Sequence, residues 1–130
     1  MKIKFLADAN FDQDIVLGVW RRQPLIEFYL PQHFIAERTD DPGVLAIAAQ
    51  RGAVLVTHDV RTMPFHFAKF IGETPSPGLI IVPRKLTISV VIEELVMIWE
   101  ASSRRSGWIG FGVFPSDREV GRRPRDSLRR

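Results

Sequence analysis

The chain is 130 residues long, 45% hydrophobic and 25% charged, the composition of one ordinary globular domain that can bury a core without metal or disulfide support. It has no cysteine, so disulfides and thiolate zinc sites are excluded. Residues 117–130, DREVGRRPRDSLRR, hold six arginines against three acids and account for the whole net charge of +3.

Two segmentation expectations follow. Residues 1–116 read as the domain, and 117–130 as a basic tail with too few apolar residues to fold alone, hence disordered. Such a tail is either a phosphate-seeking arm or a solubilising terminus. The start MKIKFLADANFD meets an acid after three apolar residues, too soon for a signal-peptide core. No run approaches the roughly 18 apolar residues of a membrane span. The expectation is a soluble, cytoplasmic chain without membrane contact.

In chain order, IKFLA (3–7) reads as a strand ending at Asp8. FDQDIVLGVWRR places Ile15, Val16, Val19 and Trp20 on one helical face, with Asp12 and Asp14 in the first turn where the helix dipole favours anions. LIEFYL (25–30) is a second strand between Pro24 and Pro31. TDDPGVLAIAAQRG is a helix started by an aspartate before Pro42, striped by Val44, Leu45, Ile47 and Ala48, and stopped at Gly52. AVLVT (53–57) is the third strand. MPFHFAKFIG is a short helix with Thr62 as a candidate cap. GLIIVP (78–83) is the fourth strand, and Ile88, Val91, Ile92, Leu95 and Trp99 mark a long helix over 87–102. GWIGFGVFP (107–115) reads as a glycine-loosened edge strand. Apolar strands alternating with helices predict an α/β chain with a largely parallel sheet covered on both faces.

Sites in such sheets form outside the carboxyl ends of the strands. Three acids fall there: Asp8 after strand one, Asp59 two residues after strand three, and Asp41, beside Asp40, at the start of the helix between strands two and three. Clustered carboxylates repel unless a cation sits among them, and hard cations such as Mg²⁺ take oxygen ligands while keeping several waters. That chemistry suits phosphoryl transfer or phosphodiester hydrolysis. Taken singly, Asp41 also reads as a helix cap and Asp59 as a turn initiator. Asp8 is harder to dismiss, because Asn10 and Asp12 already offer caps for the helix that follows. Asn10, Thr57, Arg61 and Arg84 are the candidate substrate contacts at this edge. His58 alternates away from Asp59 and reads as a supporting or surface residue; His66, among phenylalanines, reads as packed or half-exposed, and His33 has no motif. Trp20 and Trp99 sit on core stripes, and Trp108 has no assigned role.

The stretches FLADAN, DDPGVLAIAAQRG and VLVTHD, in that spacing, resemble the PIN-like domains of unknown function, relatives of the PIN-domain ribonucleases, many of which are toxins. The resemblance covers about residues 3–85 and, more loosely, the long helix after them. It implies a three-layer α/β/α PIN-like fold with a mainly parallel sheet of four or five strands. It also implies a Mg²⁺- or Mn²⁺-dependent endoribonuclease hydrolysing RNA phosphodiester bonds. By this resemblance Asp8 and Asp59 hold the metal and Asp41 completes the catalytic cluster. The implied partners are RNA, a small antitoxin of a type II pair, and a second copy in a homodimer. Members commonly carry another acid two residues past the third, where this chain has Arg61. That departure weakens the case for a second metal and keeps open a non-catalytic RNA- or protein-binding module. A receiver-like phosphoacceptor domain is the third alternative: it too needs acids after strands one and three, but uses an acidic pair where this chain has one aspartate and then AN.

Overall fold

A computed structural model describes residues 2–102 together with the strand backbone of residues 110–113. The expected tail, 117–130, and Trp108 lie outside the described residues.

Five strands form one parallel sheet in the order β2-β1-β3-β4-β5, with β1 Lys4–Ala7, β2 Phe28–Tyr29, β3 Ala53–Thr57, β4 Gly78–Ile81 and β5 Gly110–Val113. Side chains alternate across the pleat and so divide the core into two layers. Phe5, Ala7, Val54, Val56, Ile80 and Val82 face α1 (Gln13–Arg22) and α5 (Ile88–Ala101), meeting Ile15, Val16, Val19, Val91, Leu95 and Trp99. Leu6, Leu55, Leu79 and Ile81 face α3 (Asp41–Arg51) and α4 (Met63–Ile71), meeting Val44, Leu45, Ala48, Met63 and Phe67. The result is the expected three-layer α/β/α arrangement, and because both sheet faces are covered, β1, β3 and β4 carry no alternating polar side. Close approach of α1 to α5 occurs at Gly18, where a Cβ would lie 2.2 Å from Ile92 Cδ1, and Arg22 pairs with Glu93 beside that seam.

Several boundaries differ from those the sequence suggests. The second strand pairs only at Phe28 and Tyr29, because Leu25 is 76% exposed and the preceding segment serves the sheet through a single bond, Phe5 N to Glu27 O. One helical turn, α2 (Pro31–Phe34), follows it; four residues are too few to show a periodicity. Asp40, rather than Asp41, is the N-cap of α3, its Oδ1 accepting from Gly43 N at 3.0 Å. Asp41 is therefore the first helical residue, Pro42 the second, and Gly52 closes the helix with φ +66°. Asp12 caps α1 by accepting from Asp14 N, which leaves Asp8 with no capping duty there. The expected strand over 107–115 is seen at Gly110–Val113, paired with β4.

Among the described residues no helix is long and apolar enough to cross a membrane.

Candidate functional site

The strand order sends the chain leaving β1 toward β2 on one side and the chain leaving β3 toward β4 on the other. The divergence opens a crevice above the carboxyl ends of β1 and β3, the usual place for a ligand in an open α/β sheet. A cleft of about 490 Å³ lies there, with Asp8, Asn10, Asp41, Thr57, Asp59 and Arg84 in its lining. Its other wall is α2 and the segment leading to α3, including Gln32, Glu37 and Arg38.

Register places the first two functional side chains. Ala7 pairs with Val56, and Asp8 N continues the ladder by donating to Val56 O at 3.0 Å, so Asp8 comes level with Thr57. Thr57 is buried, and its hydroxyl donates to Asp8 Oδ2 at 2.7 Å while accepting from Asp59 N at 3.1 Å. Asp8 Oδ1 accepts from Ala9 N at 2.8 Å. Each Asp8 oxygen takes one donor, so half of its roughly four lone-pair sites carry no protein bond.

Asp59 is more heavily used. Its Oδ1 accepts from the backbone N–H of Arg61 and of Thr62, both at 2.9 Å, and Thr62 Oγ donates to its Oδ2. Burial pushes the Asp59 carboxyl up, but the donors from Thr62, with the backbone of Arg61 and Met63, outweigh it and hold the group below the usual carboxylate value. Thr62 Oγ also lies 3.1 Å from Asp41 Oδ2, and His66 Nε2 lies 3.8 Å from the same oxygen. The three expected aspartates are thus strung along the cleft as Asp8–Thr57–Asp59–Thr62–Asp41, with two threonine hydroxyls as links.

His58 also lines the cleft, but its ring turns toward Phe11 and Val82, away from Asp59, and its contacts tie neighbouring segments together. Nδ1 lies 2.7 Å from Val82 O and must carry the proton, since a carbonyl only accepts; Nε2 accepts from Asp12 N at 3.1 Å. The ring stacks on Phe11 with centroids 4.5 Å apart. It therefore straps the β1–α1 loop, which carries Asp8 and Asn10, to the end of β4. Arg84 straps the same loop by donating from Nη2 to Asn10 O at 2.8 Å. Arg61 is exposed and contributes its backbone N–H to Asp59. Arg38, which the sequence did not single out, lines the cleft with φ +65°, a left-handed conformation uncommon for a non-glycine residue.

Among the described residues, no three His, Cys, Asp or Glu side chains converge as a ready metal cage. The carboxylates in the cleft nonetheless offer oxygen donors, those of Asp8 half used and those of Asp59 largely taken by Arg61 and Thr62. Such a set fits a hard divalent cation that keeps several waters and takes one or two carboxylates, rather than a fully protein-ligated ion.

No family model matches the chain, and neither a curated protein nor a solved structure matches it.

Proposed function

We propose that the protein is a metal-dependent endoribonuclease of the PIN-like kind, hydrolysing RNA phosphodiester bonds with Mg²⁺ or Mn²⁺. One observation carries it: Asp8, Asp41 and Asp59, from three separate elements, line one cleft at the switch point of a parallel sheet, linked through Thr57 and Thr62. Asp8 and Asp59 would hold the cation, with Asp41 completing the cluster; the ion would supply an activated water and neutralise phosphate charge. The chain's own residues do the rest. Thr57 fixes the Asp8 carboxylate, and the His58 and Arg84 straps hold its loop. Arg84 and Arg38 place two cationic side chains on a cleft otherwise rich in acids, where they suit the flanking phosphates. The family's toxin role, with a small antitoxin and a homodimer, belongs to the same proposal.

The test is cleavage of a mixed RNA pool by purified protein with Mn²⁺ or Mg²⁺, alongside Asp8→Asn and Asp59→Asn. Cleavage that needs the metal and vanishes in both variants supports the nuclease; a metal-independent trace that persists in both would exclude it.

A second reading, a non-catalytic RNA- or protein-binding module, draws on Asp59 itself. The hydrogen bonds to Arg61 N and Thr62 N are those of a turn leading into α4, and need no chemistry. Absence of both cleavage and calorimetric metal binding would favour it. The phosphoacceptor alternative shares the strand order β2-β1-β3-β4-β5 with receiver folds. Against it, both Asp59 oxygens already accept bonds from the start of α4, a poor state for a nucleophile.

A further inference from the structure

We propose that Thr62 is a positioning residue of the acidic site: its hydroxyl ties Asp41 of α3 to Asp59 and sets the two carboxylates as paired oxygen donors toward the divalent cation. The inference rests on the metal-dependent reading above.

Thr62 occupies the N-cap position of α4, where a threonine ordinarily spends its side-chain oxygen on a free N–H of the first turn. It makes no such bond. Its backbone at φ −105° and ψ −34° lies in the helical region, unlike the extended backbone of the capping Asp12 and Asp40. The turn's N–H groups at Arg61 and Thr62 are taken by Asp59 Oδ1 instead. Released from capping, the hydroxyl faces Asp59 Oδ2 and, at 3.1 Å, Asp41 Oδ2.

A hydroxyl has one proton to give. Shared between two carboxylate oxygens, it can fully satisfy only one, and Asp59 is the nearer. Asp41 Oδ2 is left with the longer contact and with His66 at 3.8 Å, which counts as an ion pair only when the ring is protonated. Two carboxylates brought this close repel, and a cation relieves them where a single neutral proton cannot. Thr62 therefore holds an arrangement whose charge is completed from outside the chain. The neighbouring Arg61, which replaces the further acid of the resemblance, offers these carboxylates a backbone N–H only.

The test uses the full chain without RNA. Mn²⁺ binding is measured by calorimetry for the wild type, Thr62→Ser and Thr62→Val, and metal-free stability by urea unfolding. Loss of a group that orients a metal ligand typically weakens metal affinity by about 10–100-fold. Thr62→Val should show that loss with metal-free unfolding lowered only slightly, by the lost bond to Asp59 at an exposed site, and Thr62→Ser should restore wild-type affinity. Equal Mn²⁺ affinity in Thr62→Val overturns the role of Thr62 alone, as does a serine variant as weak as the valine one. A fall in metal-free stability that tracks the affinity loss reduces Thr62 to a structural residue. A wild type that takes up no Mn²⁺ overturns this role and the metal-dependent reading together.

Discussion

Thr57 and Asp8 meet across the β1–β3 seam, the threonine hydroxyl donating to the carboxylate at 2.7 Å from a buried position on the strand that ends at the cleft. Valine would keep the strand and lose both of the hydroxyl's bonds, the one to Asp8 and the one from Asp59 N. An unsatisfied, partly buried acceptor costs about 1–3 kcal/mol. Thr57→Val should therefore be destabilised by roughly that amount in urea and should cleave RNA about 10–100-fold more slowly at saturating Mn²⁺. Thr57→Ser should recover most of both. Full activity in the valine variant would show that Asp8 needs no such partner.

Asp59 forms the turn into α4 and, in the proposed nuclease, also serves as a metal ligand, and two substitutions separate these roles. Asparagine keeps an oxygen able to accept from Arg61 N and Thr62 N but removes the charge. Asp59→Asn should unfold near the wild-type midpoint yet lose cleavage. Alanine removes both functions and should cost about 1 kcal/mol besides, the usual worth of a side-chain bond to a helix start. If asparagine cleaved like wild type, Asp59 would be a turn residue only.

His58 gives the fold a pH dependence with a definite sign. Burial lowers its pKa from the ordinary value, with Arg84 adding to the fall, and this outweighs the opposing pull of the Val82 carbonyl and of Asp12 and Asp8. The unfolded chain therefore holds more protons than the fold in the window below about pH 6.5. His58's contribution is complete above that value and is lost as pH falls through the lowered folded pKa. The physical event is local: a protonated Nε2 cannot accept from Asp12 N. Thermal midpoints should drop from pH 7.5 to 5.5 in the wild type and drop less in His58→Gln. Parallel curves for the two proteins would assign the dependence to other groups.

These residues also mark what the sequence displays and what it hides. β1, β3 and β4 were legible because buried parallel strands are apolar throughout and bounded by turn residues; Asp8 and Asp59 were legible because acids at the ends of such runs are conspicuous. The orientation of His58 followed from alternation alone. Its partners did not, because Val82 and Asp12 reach it only once β4 lies beside β3 and β1 on the other side. Thr62 read as a cap for the same reason: its partner Asp41 is 21 residues away, and only the packing of α3 beside α4 brings them together. The second strand is shorter than its sequence suggests, because LIEFYL has the composition of a strand throughout while an edge position with one neighbour pairs only two of its residues.

Arg84 allows the substrate proposal to be tested apart from catalysis. One of its five guanidinium donors is used on Asn10 O, which fixes the head at the cleft rim and leaves the others for an anion. A phosphate contact of this kind should appear in the salt dependence of RNA binding, since each phosphate neutralised on a single strand contributes about 0.7 to the slope of log K against log salt. In an Asp8→Asn background, where the proposed cleavage should be absent, Arg84→Ala should weaken binding of a short single-stranded RNA and reduce that slope by about 0.7. Stability should change little, because Arg84 is exposed and the Asn10 carbonyl it releases can turn to water. An unchanged slope with weaker binding would instead make Arg84 a strap for the Asp8 loop, acting through Asn10 and not on the phosphate.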